Sequence, residues 1–506
     1  MNNTDLKILF LNPPFLPKFS RSQRSPAVIK SGTIYYPIWL AYAAGFLQKK
    51  GFEVNLIDSP AEGYDLSKTI DLVKSFNPAI VVIDTSTPSI DSDAMVAEAI
   101  KKSLPDVFLI LVGTHVSATS DETLKKYLWV DAIAKHEYDE TLLDIAYLLS
   151  TTSRPDFNSL KKIKGLSFRS DGKIVHNPDR PYITDLDQFP FVSEVYKKFL
   201  RVENYFYSIT QYPEITIVTG RGCPHQCTYC VYPQVMYGHQ YRHRSPENVV
   251  AEFVYIKENF PLVKEVFIED DTFTVNRAYC RKVCQLLVKE RLNLTWTANS
   301  RADVDLETLK LMKGAGCRLL CIGVESGNQR ILDNIHKRLK LQQVQEFMKN
   351  ARKTKILVHA CFMVGNPGET KETMKETLDF AKKLKPDTAQ FFPLMVYPGT
   401  EAFEWAKGHG YLTTTNYSQW LTESGLHNCI VSTPMVSNQE LVAFCDQARR
   451  SFYLRPAYIL SKISQVIFHP SEAVRIVKAA KTFFRHLFKG SPKAEQECPA
   501  YREGRD

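Results

Sequence analysis

The chain has 506 residues, too many for one ordinary hydrophobic core, so two or three domains are expected. Apolar residues make up 44% and charged residues 24%, a globular balance, and no apolar run approaches the ~20 residues that span a bilayer. The net charge of +9 admits nucleic acid or an anionic membrane as partners, so the position of the basic residues has to decide.

The N-terminal MNNTDLKILFLNPP has no charged-then-apolar leader, so a cytoplasmic protein is expected. Over residues 1–150 the apolar runs LKILFLN, EVNLID, AIVVIDT, VFLILVG and DAIAK alternate with segments of helical periodicity. That rhythm predicts an α/β domain built on a doubly wound parallel sheet. Ligands of such sheets bind at the carboxyl ends of the strands. There the turns carry Pro13 and Pro14, Ser86 and Thr87, Gly113 and His115, and Glu137.

Residues 151–213 read as a linker, with one hairpin around Asp171-Gly172 in KGLSFRSDGKIVHNP and prolines after it. The βα rhythm returns over 214–400 in EITIVTG, KEVFIED, LTWTANS, CRLLCIGVE, LVHACFMVG and TAQFFPLMV. Eight such units close a full barrel. Six predict a partial (β/α)6 barrel. Ser245 followed by Pro246 marks a helix start in the second unit. Residues 401–506 read as a helical extension.

The chain has 11 cysteines. In a cytosolic protein a cluster of them points to metal or catalysis, not to a disulfide framework. Cys280, Cys284, Cys317, Cys321, Cys361, Cys429 and Cys445 lie in or near apolar segments and are expected mostly as small core residues. Cys223, Cys227 and Cys230 differ, because they form one compact CxxxCxxC loop in GRGCPHQCTYCVY. Structural zinc takes four ligands, usually as two separated pairs. Here a fourth would have to come from His225, His239 or His243, the weaker alternative. A [4Fe–4S] cluster normally takes four thiolates, and with three one iron keeps an open position.

The CxxxCxxC loop after a first barrel strand resembles the radical S-adenosylmethionine (SAM) superfamily, and the likeness extends over roughly 214–400. The resemblance implies a [4Fe–4S] cluster on Cys223, Cys227 and Cys230 whose open iron is chelated by SAM. Reductive cleavage of SAM then yields a 5′-deoxyadenosyl radical that abstracts hydrogen from the substrate. It implies Tyr229 near the adenine, and Glu269, Asp270 and Asp271 of FIEDDTF near the SAM amino group. Asn299 and Arg301 end the third strand. Glu325 and Ser326 of GVESG are expected to face ribose and methionine, and Gly365, Asn366 and Pro367 of VGNPGET the adenine.

Residues 1–150 resemble the cobalamin-binding domain of one large branch of that superfamily. The D-x-H-x-x-G sequence that supplies a histidine to cobalt is absent, and His115 lacks the flanking Asp. The resemblance implies cobalamin as a third cofactor, bound without that histidine. The phrases RSPENVV, DDTFTVN, AGCR, ESGNQ and YPGT look most like a subgroup with hopanoid-biosynthesis enzymes and the anaerobic magnesium-protoporphyrin monomethyl ester cyclase. That implies a hydrophobic, lipid- or tetrapyrrole-like substrate, with cyclisation, rearrangement or methylation at carbon, and a reductant such as flavodoxin or ferredoxin. A cobalamin-dependent methyltransferase acting on another natural product is the alternative. A methylthiotransferase-like RNA modifier shares the cysteine spacing but needs a strand-rich C-terminal RNA-binding domain, so no nucleic acid is expected. An iron–sulfur sensor or electron carrier is the rival outside enzymes.

From Arg475 to Lys493 the tail has six basic residues and no acidic one. At ~100° per residue, 472–489 separates a basic face from an apolar one. Two readings remain: a helix in a membrane interface, favoured by the all-basic face, or a surface helix packed on the barrel.

Overall fold

The computed structural model describes residues 6–152, 155–170 and 172–468. The first sheet contains β1 (Lys7–Asn12), β2 (Glu53–Asp58), β3 (Ile80–Asp84), β4 (Phe108–Val112), β5 (Ala132–Ala134), β6 (Leu166–Ser170) and β7 (Lys173–His176). Their order is β2-β1-β3-β4-β5-β6-β7. β1 to β5 run parallel. The apolar runs carry this arrangement because alternate side chains of a strand go to opposite faces. Ile8 and Phe10 enter one core, and Leu9 and Leu11 enter the other, so helices must cover both faces.

The hairpin expected in the linker forms as β6 and β7. It pairs antiparallel with β5 and extends the first sheet to His176. Ser167 and Phe168 are fully buried there, so the hairpin is an edge of the sheet and not a free connector.

The second sheet begins with β8 (Glu214–Ile217). The chain then makes a two-residue antiparallel ribbon, β9 (Gly220–Arg221) with β10 (Arg242–His243), which brackets the cysteine loop. β11 (Glu265–Ile268), β12 (Thr295–Ser300), β13 (Cys317–Glu325), β14 (Leu357–Val364) and β15 (Thr388–Pro393) follow. The order β15-β14-β13-β12-β11-β8 is parallel throughout and open between β15 and β8, the partial barrel that six units predict. Side-chain caps start most of the intervening helices. Ser245 accepts from the Asn248 N–H at 3.1 Å ahead of Pro246–Asn259, and Asp305 accepts from the Thr308 N–H at 2.9 Å ahead of Leu306–Gly314.

A buried charge cluster joins the two lobes. Arg221 donates to Glu137 at 2.7 Å and to Asp139 at 2.8 Å, and Arg242 reaches Glu137 at 2.8 Å. Glu137, expected at a cofactor-facing turn, is thereby held as a clamp between the lobes.

Among the described residues of the C-terminal extension, an irregular strap over 411–431 separates helix Glu401–Gly408 from helices Asn438–Tyr453 and Pro456–Phe468. The strap is held by isolated bridges Leu412–Val431 and Leu421–His427, and Gly425 accepts from the Val28 N–H at 2.8 Å. It follows the surface of the first lobe, a shape that periodicity cannot report. The basic segment 472–489 lies outside the described residues. No helix among the described residues is long and apolar enough to cross a membrane.

Candidate active site

A cavity of about 1880 Å³ enters at the cysteine loop and runs down the inside of the barrel. Ordinary small-molecule sites occupy ~300–1,000 Å³, so this one has room for more than one ligand. Cys223, Cys227, Cys230, Tyr229, Asp271, Asn299, Arg301 and Glu325, all expected site residues, line it.

The cysteine loop is held by its backbone. Gln234 donates from Nε2 to the carbonyls of Cys227 (3.1 Å), Thr228 (3.1 Å) and Cys230 (2.9 Å). Gly222, at φ +85°, allows the chain to pass the carbonyls of Gln240 and Gly238, which an added Cβ would meet at 2.4 and 3.0 Å. Burial, and after it the Asp271 carboxylate, raises the thiol pKa of Cys223 and Cys230. Thiols held in this way become thiolates readily only against a cation. The buried Thr228 hydroxyl in the same loop has no hydrogen-bond partner among the described residues. The donor set fits a [4Fe–4S] cluster with three protein ligands.

Across the cavity mouth, Tyr229 donates to Glu325 Oε1 at 2.9 Å, and Lys337 Nζ lies 2.8 Å from the same oxygen. Burial opposes the charge on Lys337, but Glu325 and Cys227 together outweigh it and the pKa is raised overall. Arg301 donates to the carbonyls of Lys337 (2.9 Å) and Arg338 (3.0 Å), so it positions this loop. Glu269 lies just behind the wall. Arg24 bonds it directly and reaches Asp271 at 3.3 Å, while Asn299 donates to Glu269 Oε2 at 3.1 Å. A guanidinium therefore occupies the carboxylate nest expected to take the SAM ammonium. Burial raises the Glu269 pKa and Arg24 opposes it.

The other expected residues lie elsewhere. Asp270 accepts from the Thr219 N–H and hydroxyl, both at 2.6 Å, and from Tyr241, so it fixes the start of the cysteine loop. Burial pushes its pKa up to about 6. Ser326 is fully buried against Thr377 at 3.1 Å. Gly365, Asn366 and Pro367 follow β14 at its carboxyl end without lining the cavity, and the buried Asn366 Oδ1 has no partner among the described residues.

The turns of the first lobe also stay outside the cavity. His115 Nδ1 is 3.2 Å from the Thr87 hydroxyl, and its ring meets Tyr417 of the strap edge-on at 4.7 Å. Burial lowers its pKa to about 3. Ser86 bonds Ser89 at 2.7 Å. Gly113, at φ +120°, packs on the Thr85 carbonyl. The carbonyl of Pro13 accepts from Arg21 at 2.8 Å, and Pro14 is buried beside it. As packed, Pro13, Pro14, Ser86, Thr87, Gly113 and His115 do not reach a corrin ring in this cavity. The wall of the first lobe that does face it is the loop after β1, residues 23–35. The cavity has the volume to take cobalamin beside this loop; the turn residues do not line it.

Sequence reasoning missed Arg24, Gln234 and Lys337. Arg24 lies 245 residues from the Glu269 carboxylate it meets and Lys337 lies 12 from Glu325, and nothing in their own segments marks either. It also placed Cys321 and Cys361 in the core, whereas both line the cavity. Their signal was present, because period-two alternation puts Cys321 on the face of Glu325 and Cys361 on that of Met363.

An open parallel barrel with three unpaired thiols at its carboxyl end, behind a doubly wound lobe, defines the architecture of a cobalamin-type radical SAM enzyme. The sequence models agree: that of the radical SAM superfamily matches residues 217–381, and that of the B12 binding domain matches 24–146. An uncharacterised methyltransferase of Pyrococcus horikoshii is 31% identical over 461 residues, covering 90% of this chain and 95% of that protein. The anaerobic magnesium-protoporphyrin IX monomethyl ester cyclase of Rubrivivax gelatinosus is 28% identical, covering 73% of this chain and 66% of that one. The methyltransferase TsrM of Kitasatospora setae, solved with tryptophan and a SAM analogue, shares the fold at a TM-score of 0.69 and 17% identity, over 89% of each chain. The chain belongs to the radical SAM superfamily, in the branch that carries a B12 binding domain ahead of the barrel, and it is an enzyme.

Proposed function

We propose that this enzyme methylates a carbon of a hydrophobic small molecule held in the barrel cavity, with SAM, a [4Fe–4S] cluster and cobalamin as cofactors. The carrying observation is one continuous cavity that has the three thiols at one end and a mostly apolar lining, including Phe206, Ile209, Met363, Phe392 and Met395. When bound, the cluster supplies the electron that cleaves SAM, and cobalamin supplies a methyl carrier. Cys223, Cys227 and Cys230 hold the cluster. Glu269, Asp271 and Asn299 take the SAM ammonium once Arg24 moves aside, as charge-assisted bonds to carboxylates favour. Tyr229, Glu325 and Lys337 form the opposite wall and orient the ribose side. Asp270 and Arg301 position the two loops. Residues 23–35 face the corrin. The apolar wall excludes water and with it quenching of a reactive carbon centre.

Cyclisation is the second reading, favoured by the likeness to the magnesium-protoporphyrin ester cyclase. A low-potential reductant of the flavodoxin or ferredoxin type is required in either case. A peripheral membrane contact through 472–489 would suit a lipid-like substrate. The deciding experiment is anaerobic turnover with methyl-deuterated SAM and candidate apolar substrates. A product that gains one labelled methyl supports methylation. Loss of hydrogens without added carbon favours cyclisation.

A further inference from the structure

Deeper in the same cavity lies a second group of metal-binding side chains. Cys321 and His359 are paired across β13 and β14, and Cys361 is two residues beyond His359 on the same face. One ligand atom from each lies within 4.8 Å of the other two, and all three line the cavity. Thr388, the partner of His359 on β15, places its hydroxyl 2.7 Å from His359 Nδ1. That is the outer hydrogen bond that orients metal-binding imidazoles. We propose that Cys321, His359 and Cys361 bind a zinc-class divalent cation with its fourth position open to the cavity.

The donor set favours this cation. Two thiolates and one imidazole suit zinc, and three protein ligands with an open position mark zinc sites that act on a ligand rather than hold a fold. Tetrahedral geometry at a Zn–S distance of ~2.3 Å needs the sulfurs ~3.8 Å apart, so closure takes rotamer shifts of about 1 Å. Three rigid, neighbouring positions in two paired strands allow that without backbone change. Binding is redox-neutral: the two thiols release their protons to solvent as the S–Zn bonds form.

The position suggests the use. Cys321 and Glu325 lie four residues apart on β13, about 13 Å at strand rise. A cation there would seat a carboxylate, thiol or imidazole of the substrate and hold its apolar remainder below the thiol loop. This last step rests on the cavity being the substrate chamber. The cation site itself does not.

The test uses full-length protein, anaerobically reconstituted with iron and sulfide, then given zinc and desalted. Elemental analysis and zinc-edge X-ray absorption are read on wild type, on Cys321→Ser/Cys361→Ser and on His359→Gln. The expected result is one zinc per chain with two sulfur neighbours, and at least a tenfold loss of zinc in the double variant with iron content unchanged. Wild type without zinc, zinc retained by the double variant, or a Cys321–Cys361 disulfide in the intact mass would each overturn the proposal. Iron content and SAM cleavage, measured on the same samples, report separately on the reading of the catalytic end.

Discussion

Lys337 Nζ lies 2.8 Å from Glu325 Oε1, and the Tyr229 hydroxyl touches both. The lysine sits in the loop after the short helix Gln329–Asn334 that follows β13, the glutamate ends that strand, and the tyrosine comes from the cysteine loop. Both charges are buried, so removal of one partner strands the other. Lys337→Met is expected to cost about 3–5 kcal/mol in stability. It should also raise the KM for SAM at least tenfold. The double variant Lys337→Met/Glu325→Gln has no unpaired charge, so denaturant unfolding should show most of the stability regained while SAM affinity stays weak. A double variant no more stable than the single one would remove this pair from the account.

The two lobes are predicted to depend on Arg221. It serves Glu137 and Asp139 while buried, and it stacks on Phe189 with its guanidinium carbon 4.5 Å from the ring centre. Arg221→Met leaves Asp139 with no cation of its own, so a loss of about 3–5 kcal/mol is expected. Calorimetry should also show the single transition broaden or split. A loss below ~1 kcal/mol would mean that the cluster behaves like an exposed pair.

Asp84 gives a pH signature. Burial is the main cause that pushes its pKa up to about 7, with Asp93 adding and Arg21 opposing, from an ordinary 3.8. Because the folded value is the raised one, the stabilising effect is complete below about 3.8 and is lost as pH rises through 7. Asp84→Asn removes that loss. Its Tm relative to wild type should climb between pH 5 and pH 8, by the equivalent of about 2–4 kcal/mol. A pH-independent difference would contradict the raised pKa.

Cys227→Ala should abolish iron retention and SAM cleavage while far-UV dichroism stays close to wild type. The loop is pinned by Gln234 and by the Thr228 carbonyl, which accepts from the Ala402 N–H at 3.0 Å, not by the thiol. Deoxyadenosine release by this variant would count against the ligand assignment.

The strands were legible because burial on two faces forces continuous apolar runs, as in IVVID of β3, and because turn residues separate them. The cysteine loop was legible because its spacing carries chemistry by itself. Partners distant in sequence were not. Arg24 meets Glu269 across 245 residues, and nothing in FSRSQRSP marks that arginine. Glu137 reads as a turn carboxylate until Arg221 and Arg242 are folded against it. His115 reads as a strand-end turn residue until Tyr417 packs against it. Cys321 and Cys361 show how an apolar strand conceals a cavity face. Their alternation was visible, but the inward face of an open barrel is a wall and not a core.

The central claim is that Cys223, Cys227 and Cys230 hold a cluster with one iron open to SAM. Electron paramagnetic resonance of the anaerobically reconstituted, reduced protein, recorded with and without SAM, tests it most directly. The account predicts a reduced-cluster signal whose g-values shift when SAM is added. A cluster signal that is unchanged by SAM would contradict it.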